Sequence, residues 1–486
     1  MRRNSLIYVF IILFASFTWA QTSQAPANPP AESQTNLDKS GQASQQQEQK
    51  ISPKEAGELF RSVDEILQFA SKDTDLPIKH EVKRRLVSRD EVEAYLKKSM
   101  AEDKSAKRLQ RTELVLKKFG LLPRDFDLQP FLVALLREQV AGYYDAKTKT
   151  VNLLDWIDAE QQKPVMAHEL THALQDQSFG LEKWMKVGDI DLDEKKNVTA
   201  ADIENDEASE AREAVVEGQA MAVLVDYMLE PTGQSLLAAP QVANALTEGM
   251  LVGTSDSPEF QKAPVFLREE LTFPYRYGLN FEAALLKKGR QRAFAGAFTD
   301  PPRTTRQIMQ PETYLSGEKI PPMPLPDFYH DFKNYERFDV GAMGEFDVDI
   351  LIDQYAGTEI SKDVYPHWRG GYYYAARPKN DPAAPLAILY VSRWSSPEAA
   401  AQFAAIYAKA LSKRYKQVRE AVDDKAPILN LQTIESLNGT HTWLTEEGSV
   451  VIVVQGDTVF VTESLDQPTS EHLEQEVLGV ASPQRP

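Results

Sequence analysis

Two histidines and a glutamate stand close together in the chain, as His168, Glu169 and His172. In a helix, residues four apart lie on one face, with about 5–6 Å between their Cβ atoms. Two imidazoles at that spacing can bind one metal ion through ring nitrogens at about 2.0–2.1 Å. A carboxylate beside them can take a proton from a water that the metal activates. The spacing predicts a catalytic zinc (Zn2+) site; the alternative is an amphipathic helix with two partly exposed histidines.

The surrounding residues predict the helix that presents this pair. Pro164 precedes the pair, where a proline suits a first helical turn. Apolar residues recur from Val165 to Leu174, and Gly180 indicates a helix end. We therefore expect a helix from about residue 164 to about residue 180.

A third protein ligand is needed to leave zinc with an open position. Residues 201–230 form a long helical pattern rich in alanine and glutamate, and Glu217 lies in it, 45 residues after His172. Glu213, one helical turn earlier, is the competing ligand. A site of two histidines and one glutamate with an open position suits metal-assisted hydrolysis.

The neighbours of Glu217 lead to two further expectations. Gly218 and Ala220 are small, which predicts that this helix packs closely against the histidine helix. Glu204, Glu207 and Glu210 are expected on its solvated surface, as is typical of acidic runs.

With these residues in place, the chain resembles the gluzincin branch of the zinc metallopeptidases. The resemblance implies a zincin-like fold, with His168, His172 and Glu217 as zinc ligands and Glu169 as the general base. The chain is more closely similar to a group of largely uncharacterised exported prokaryotic proteins of this type. The segments that carry this similarity are Gly142–Asp145, Phe273–Gly278, Pro301–Ile308 and Trp368–Tyr372. Gln310 departs from the pattern, because a histidine is expected there.

A peptidase of this kind also needs a donor for the oxyanion that forms at the attacked carbonyl. Tyr275, Tyr277 and Arg303 are the candidates, since they are polar donors in otherwise apolar segments. The alternative for each is a structural side chain whose polar group is satisfied by its neighbours.

A β-hairpin is predicted just ahead of the histidine pair, from two strand-like runs, 142–145 and 150–154, around the polar turn 146–149. Its edge could accept an extended peptide as an added strand. A purely structural hairpin is the equal alternative.

The N-terminus predicts an exported protein. Arg2 and Arg3 followed by an apolar run from Leu6 to Phe17 are typical of a secretory signal peptide over residues 1–20. The apolar run is too short to span a bilayer, which predicts no stable membrane insertion after cleavage. We therefore expect a periplasmic or secreted protein. Cysteine is absent, which excludes disulfides, thiol nucleophiles and cysteine metal ligands.

The net charge of the chain limits the kinds of partner that it is expected to bind. The net charge is −18, and loss of residues 1–20 removes two arginines and no acid, giving −20. So acidic a chain argues against binding nucleic acid or anionic lipid through broad electrostatics. The expected partner is a peptide or protein substrate.

The predicted fold class is α+β. A disordered low-complexity spacer is expected at 21–50, where large apolar residues are scarce. A mainly helical zincin-like metallopeptidase domain with a small antiparallel sheet is expected at 51–345. Alternating strands after the helix 397–415 predict a C-terminal α+β domain with an antiparallel sheet at 346–486.

Three functions remain open from the sequence. The first is an exported zinc metallopeptidase that hydrolyses peptide bonds. The second is a non-catalytic cell-envelope binding or scaffold protein that retains the metal site. The third is a structural zinc site, which four protein ligands, often cysteine, would usually close.

Overall fold

The structure is a computed structural model that describes residues 10–13, 50–101, 103–187, 197–255, 257–421 and 429–479. The α-helices are α1 Pro53–Thr74, α2 Arg89–Ala101, α3 Asp103–Phe119, α4 Leu128–Gln139, α5 Ala159–Phe179, α6 Leu181–Met185, α7 Ala200–Leu229, α8 Pro240–Ser255, α9 Pro258–Lys262, α10 Val265–Leu286, α11 Ala297–Thr299, α12 Thr305–Met309, α13 Pro311–Leu315, α14 Phe328–Asp331, α15 Glu345–Ala356, α16 Thr358–Val364, α17 Pro397–Arg414 and α18 Gln467–Leu478. The strands are β1 Phe10–Leu13, β2 Lys83–Val87, β3 Val140–Asp145, β4 Thr150–Leu154, β5 Tyr335–Ala342, β6 Trp368–Pro378, β7 Ala387–Trp394, β8 Val418–Glu420, β9 Gly439–Thr445, β10 Gly448–Gln455 and β11 Thr458–Glu463. The mixed α+β class is confirmed.

The N-terminal part is mainly helical, and its helices begin where the sequence indicates. Ser52 caps α1, accepting from the Glu55 backbone N–H while the Glu55 carboxylate accepts from the Ser52 N–H. The same reciprocal pair forms before α2 at Ser88 and Glu91, which have the spacing of a capping box. Such pairs satisfy backbone donors that the first helical turn leaves without partners.

A four-stranded sheet in the order β1-β3-β4-β2 lies beside these helices. The predicted hairpin is confirmed as β3 and β4, which pair antiparallel. The expected antiparallel sheet is in fact mixed, because β2 pairs parallel to β4. β1 pairs antiparallel with β3, so the four residues Phe10–Leu13 occupy the outer edge of β3.

These four residues fall within the predicted signal peptide. The rest of residues 1–20, and all of the predicted spacer 21–50 except Lys50, lie outside the described residues. Among the described helices, none combines the length and apolar character that crossing a membrane requires.

The C-terminal part is built on a seven-stranded antiparallel sheet in the order β5-β6-β7-β11-β10-β9-β8. It begins at Tyr335, ahead of residue 346, because β5 pairs with β6. Side chains of β6 alternate between two apolar cores: Tyr373 belongs to the larger core, and Tyr372 and Tyr374 to a smaller one. Both faces of the sheet are thus covered, the second partly by α14 and α18.

Buried charges join the two parts. Arg414 on α17 donates to both carboxylate oxygens of Glu463 on β11, at 2.8 and 2.7 Å. Lys118 on α3 lies 3.8 Å from the same carboxylate and 2.8 Å from that of Glu447. The helical part is therefore anchored to the sheet by paired charges as well as by the shared apolar core.

Candidate metal centre

The histidine helix starts earlier than predicted. Asp158 caps α5 by accepting from the backbone N–H groups of Glu160 and Gln161, so the helix begins at Ala159. Pro164 is its sixth residue rather than part of its first turn, which corrects the predicted start. The predicted end is confirmed at Phe179, where Gly180 adopts a left-handed conformation with φ 69°.

Two polar side chains attach the hairpin to this helix. The Gln162 amide pairs with the backbone of Leu154 on β4, accepting from its N–H at 2.8 Å and donating to its carbonyl at 2.9 Å. At the other end, Asp176 accepts from the Tyr144 hydroxyl at 2.9 Å. β3 therefore runs over the centre of α5, where a Cβ on Gly142 would lie 3.1 Å from Val165 Cγ1 and 3.9 Å from Glu169 Cγ.

Helix α7 brings the third ligand, and α10 fixes its position. Gly218, next to Glu217, packs against Gly278 of α10, so closely that a Cβ on Gly218 would lie 2.7 Å from the Gly278 Cα. The predicted close packing of α7 against α5 is confirmed by the contacts of Val216 and Glu217 with α5, but Gly218 itself faces α10. Neighbouring helical residues differ by about 100° in direction, which lets Glu217 face α5 while Gly218 faces α10.

The three predicted ligands meet. The Glu217 Oε2 lies 3.0 Å from His168 Nε2 and 3.6 Å from His172 Nε2. All three side chains are buried, and one ligand atom from each lies within 4.8 Å of the other two. Glu213, the competing ligand, is not part of this cluster.

The residues fit a zinc ion by size and by donor type. Ligands about 2.05 Å from a tetrahedral zinc are separated by roughly 3.3 Å, and the two nitrogen–oxygen distances lie on either side of that value. Two imidazoles and one carboxylate form a donor set known from catalytic zinc sites, with a fourth position left for water. The cluster therefore has the geometry of a three-ligand metal site.

Electrostatics favour a cation here. Burial lowers the pKa of His168 to about 4, so its ring is neutral at pH 7. Burial is the largest single influence on His172 and acts to lower its pKa, but the charge and hydrogen bond of Glu217, the charge of Glu169 and the hydrogen bond with Gln175 together raise the pKa. Burial opposes ionisation of Glu217, yet the charge of His172 and hydrogen bonds from both rings lower its pKa to about 2. Glu217 is thus a carboxylate at neutral pH, and its negative charge favours a cation between the two rings.

A chain of buried amides orients His172. Its Nδ1 lies 2.9 Å from Gln175 Oε1, which directs Nε2 towards Glu217. The Gln175 amide nitrogen donates to Gln219 Oε1 at 3.0 Å and to the Val216 carbonyl at 3.1 Å. Gln219 in turn donates to the carbonyls of Ala293 and Phe294, in a π-helical turn. Such partners fix the orientation and tautomer of metal-binding histidines.

Sequence reasoning missed this chain of amides. Gln175 follows His172 by three residues, and Gln219 follows Glu217 by two, so both lie within one turn of a ligand. That proximity was the available signal, but pairing across 44 positions requires the helix crossing to be known.

Glu169, the predicted base, is completely buried beside the ligands. Apart from a contact with the Tyr144 backbone, which acts to lower its pKa, its carboxylate has no hydrogen-bond partner among the described residues. Burial raises its pKa to about 8, while the charge of His172 opposes the rise and that of Glu217 adds to it. A carboxyl group in this position can exchange a proton near neutral pH.

The two candidate tyrosines separate. The Tyr275 ring centroid lies 6.3 Å from that of His168. Burial, and after it the charges of Glu217, Glu213 and Glu169, raise the Tyr275 pKa well above 10, which keeps its hydroxyl protonated. Tyr277 instead packs against Phe273 and Phe346. Residues two apart on a helix point to different sides, so the structure brings Tyr275 to the cluster and not Tyr277.

Arg303 lies away from the ligands. It lines a cavity of about 550 Å³ near Glu207, and Glu207 precedes Glu217 by ten residues, or roughly 15 Å of helix. Thr305, two residues after Arg303, donates to Glu207 through both its backbone N–H and its hydroxyl. Gln310 donates to Glu345 at 2.7 Å. These parts of the segment 301–310 make structural contacts.

The prediction that the α7 glutamates lie on a solvated surface was partly wrong. Glu204 is exposed, but Glu207 and Glu210 are buried. Burial and the charge of Asp347 raise the pKa of Glu207 to about 7, although its hydrogen bonds to Thr305 oppose the rise. Acidic composition alone did not reveal that Thr305 covers this turn of the helix.

Comparison with known proteins adds one match. A family model described as a domain of unknown function (DUF8575) matches residues 336–467. This span runs from β5 to the first residue of α18, and therefore coincides with the C-terminal sheet and its helices. Neither a curated protein nor a solved structure matches the chain.

Proposed function

We propose that this chain is an exported zinc metallopeptidase with a zincin-like catalytic part. The observation that carries the proposal is the convergence of His168, His172 and Glu217, with the buried Glu169 one residue from the first histidine. The hairpin beside α5 and the ligand on the following long helix support the zincin-like arrangement.

In this proposal His168, His172 and Glu217 would hold the ion, which would act as a Lewis acid and lower the pKa of water to about 7. Glu169 accepts the proton of the attacking water and passes it to the leaving amine. Its burial outweighs the contact with the Tyr144 backbone and keeps the carboxylate basic enough for the first step. The amides of Gln175 and Gln219 hold His172 in one orientation throughout.

Tyr275 is the oxyanion donor in this scheme. Its hydroxyl stays protonated and lies close to the charges of Glu217 and Glu169. A donor that is fixed before the reaction stabilises negative charge on the attacked carbonyl at little reorganisation cost.

The outer edge of β3 is the proposed binding edge for an extended peptide. Backbone residues Phe10–Leu13 already pair antiparallel with it, which supports its capacity to accept a strand. Removal of a signal peptide from an exported chain would expose this edge to substrate.

The decisive experiment compares Glu169→Gln with the wild-type chain on a peptide library, with and without a chelator. We expect wild-type cleavage to stop on chelation and to return with zinc, and Glu169→Gln to bind zinc without cleaving. Glu160→Gln, at an exposed position of the same helix, is the matched control. Cleavage by Glu169→Gln would refute the assigned base. Binding without cleavage by the wild type would favour an envelope scaffold.

A further inference from the structure

A second group of potential metal ligands lies on two helices that cover the C-terminal sheet, far along the chain from the first. Asp331 ends α14, and His472 and Glu476 lie on α18. One ligand atom from each lies within 4.8 Å of the other two. We propose that these three residues form a separate site for a divalent transition-metal ion of the zinc class, which fastens α18 to α14.

Both carboxylates lie near the same ring nitrogen of His472. His472 Nε2 lies 3.0 Å from Asp331 Oδ1 and 3.9 Å from Glu476 Oε2. His472 and Glu476 are four apart on α18, the same spacing that puts His168 and His172 on one face of α5. One ion can therefore contact both from a single helix face.

The supporting elements are already fixed. The Asp327 backbone N–H donates to Glu476 Oε1 at 3.0 Å, which holds that carboxylate against the turn before α14. Phe328 of α14 and Leu473 of α18 are both buried in the smaller apolar core. Little backbone ordering is therefore needed to bring the ligands together, which favours binding.

An unsatisfied oxygen independently indicates a ligand. The Asp331 side chain is only 6% exposed, and apart from the neighbouring Glu476 carboxylate its buried Oδ2 has no hydrogen-bond partner among the described residues. A buried carboxylate oxygen without a partner is costly. Within the described chain, the ion pairs of Asp331 and Glu476 run only to His472. A cation would satisfy the oxygen and neutralise two adjacent carboxylates.

The types of ligand atom in this group indicate which ion it would prefer. One imidazole nitrogen with two carboxylate oxygens suits zinc and related first-row ions, whereas calcium and magnesium prefer oxygen ligands alone. The His472 side chain is 59% exposed, so water can complete the coordination. Such an ion would link α18, the last described helix, to α14, and would stabilise the fold by binding only the native state.

The test counts zinc ions on the full chain after chelator treatment, by calorimetric titration and elemental analysis. We expect two ions per wild-type chain, and one for His472→Ala and for Glu476→Gln. Glu471→Gln is the matched control, because Glu471 lies on the same helix and bonds to Gln467; it should keep two. The second equivalent of zinc should raise the melting temperature of the wild type but not of His472→Ala.

The two sites are distinguished by His172→Ala. If both exist, this variant keeps one ion, and His472→Ala added to it removes that ion. A wild-type chain with one ion that His172→Ala abolishes would overturn the second site and leave the peptidase proposal standing. A single ion that His472→Ala abolishes would do the reverse. Two ions in His472→Ala would also overturn the second site.

Discussion

Gly218 on α7 and Gly278 on α10 touch backbone to backbone where the two helices cross. A Cβ on Gly278 would lie 3.1 Å from the Gly218 Cα and also 3.1 Å from the carbonyl carbon of Ala214. Glu217 precedes the first glycine by one residue, and Tyr275 precedes the second by three. The helix crossing therefore determines the distance between Glu217, the third ligand, and Tyr275, the candidate oxyanion donor.

Gly278→Ala should weaken the candidate metal centre without touching any ligand. The added methyl group meets helix backbone, which cannot rotate away, so α10 must shift; overpacking of this kind costs about 1–3 kcal/mol. We expect a lower urea midpoint and weaker zinc binding, measured by denaturation and by titration. The control is Gly57→Ala in α1, where a Cβ has one side-chain neighbour at 3.8 Å. Gly57→Ala should stabilise the chain slightly and leave zinc binding unchanged. Unchanged zinc affinity in Gly278→Ala would show that the crossing does not position Glu217.

Glu217→Gln and Glu213→Gln should differ sharply in zinc binding. Glu217 Oε2 lies within 3.6 Å of both imidazole nitrogens, whereas Glu213 lies outside the ligand cluster. Loss of an outer partner typically costs 10–100-fold in metal affinity, so loss of the ligand itself should exceed about 100-fold. Competition with a coloured chelator measures both constants. Equal losses in the two variants would contradict the choice of Glu217.

How well the sequence predicts this site depends on how far apart along the chain the contacting residues lie. The predicted hairpin forms through contacts within a few residues and is confirmed, and the equally local capping pair of Ser88 and Glu91 is also present. Pro164 misled because a proline can also stand inside the first turns when a capping residue lies further upstream, as Asp158 does here.

Contacts between distant elements carried no comparable signal. The buried Glu207 looked like helix surface because Thr305, its partner, lies 98 residues away. Nothing in the sequence links His472 to Asp331, because the two residues lie 141 positions apart. Gly218 indicated a close contact but not its partner, because a small residue permits an approach from any neighbour.

Tyr275→Phe should reduce turnover if the chain is a peptidase. Removing one oxyanion donor lowers kcat by about 10²–10³-fold, and the phenyl ring should preserve packing beside His168. Tyr277→Phe is the matched control on the same helix, since Tyr277 packs against Phe273 and Phe346. Steady-state kinetics should show a fall in kcat with little change in KM for Tyr275→Phe alone. A Tyr275→Phe variant as active as Tyr277→Phe would exclude the hydroxyl from the reaction.

The stability of the chain towards acid should depend on Glu463. Burial opposes its ionisation, but the charges of Arg414 and Lys118 outweigh burial and lower its pKa. A carboxylate whose pKa is lower in the folded state adds stability that is complete above the unfolded value of about 4.3 and is lost as pH falls through the folded value. Urea midpoints between pH 3 and 7 should therefore fall more steeply on the acid side for the wild type than for Glu463→Gln. At pH 7 the substitution should cost about 3–5 kcal/mol, because it leaves Arg414 buried without its charge partner. Glu359→Gln, an exposed position on α16, is the surface control. An acid limb of equal slope in Glu463→Gln and the wild type would show that the pair linking α17 to β11 does not govern acid unfolding.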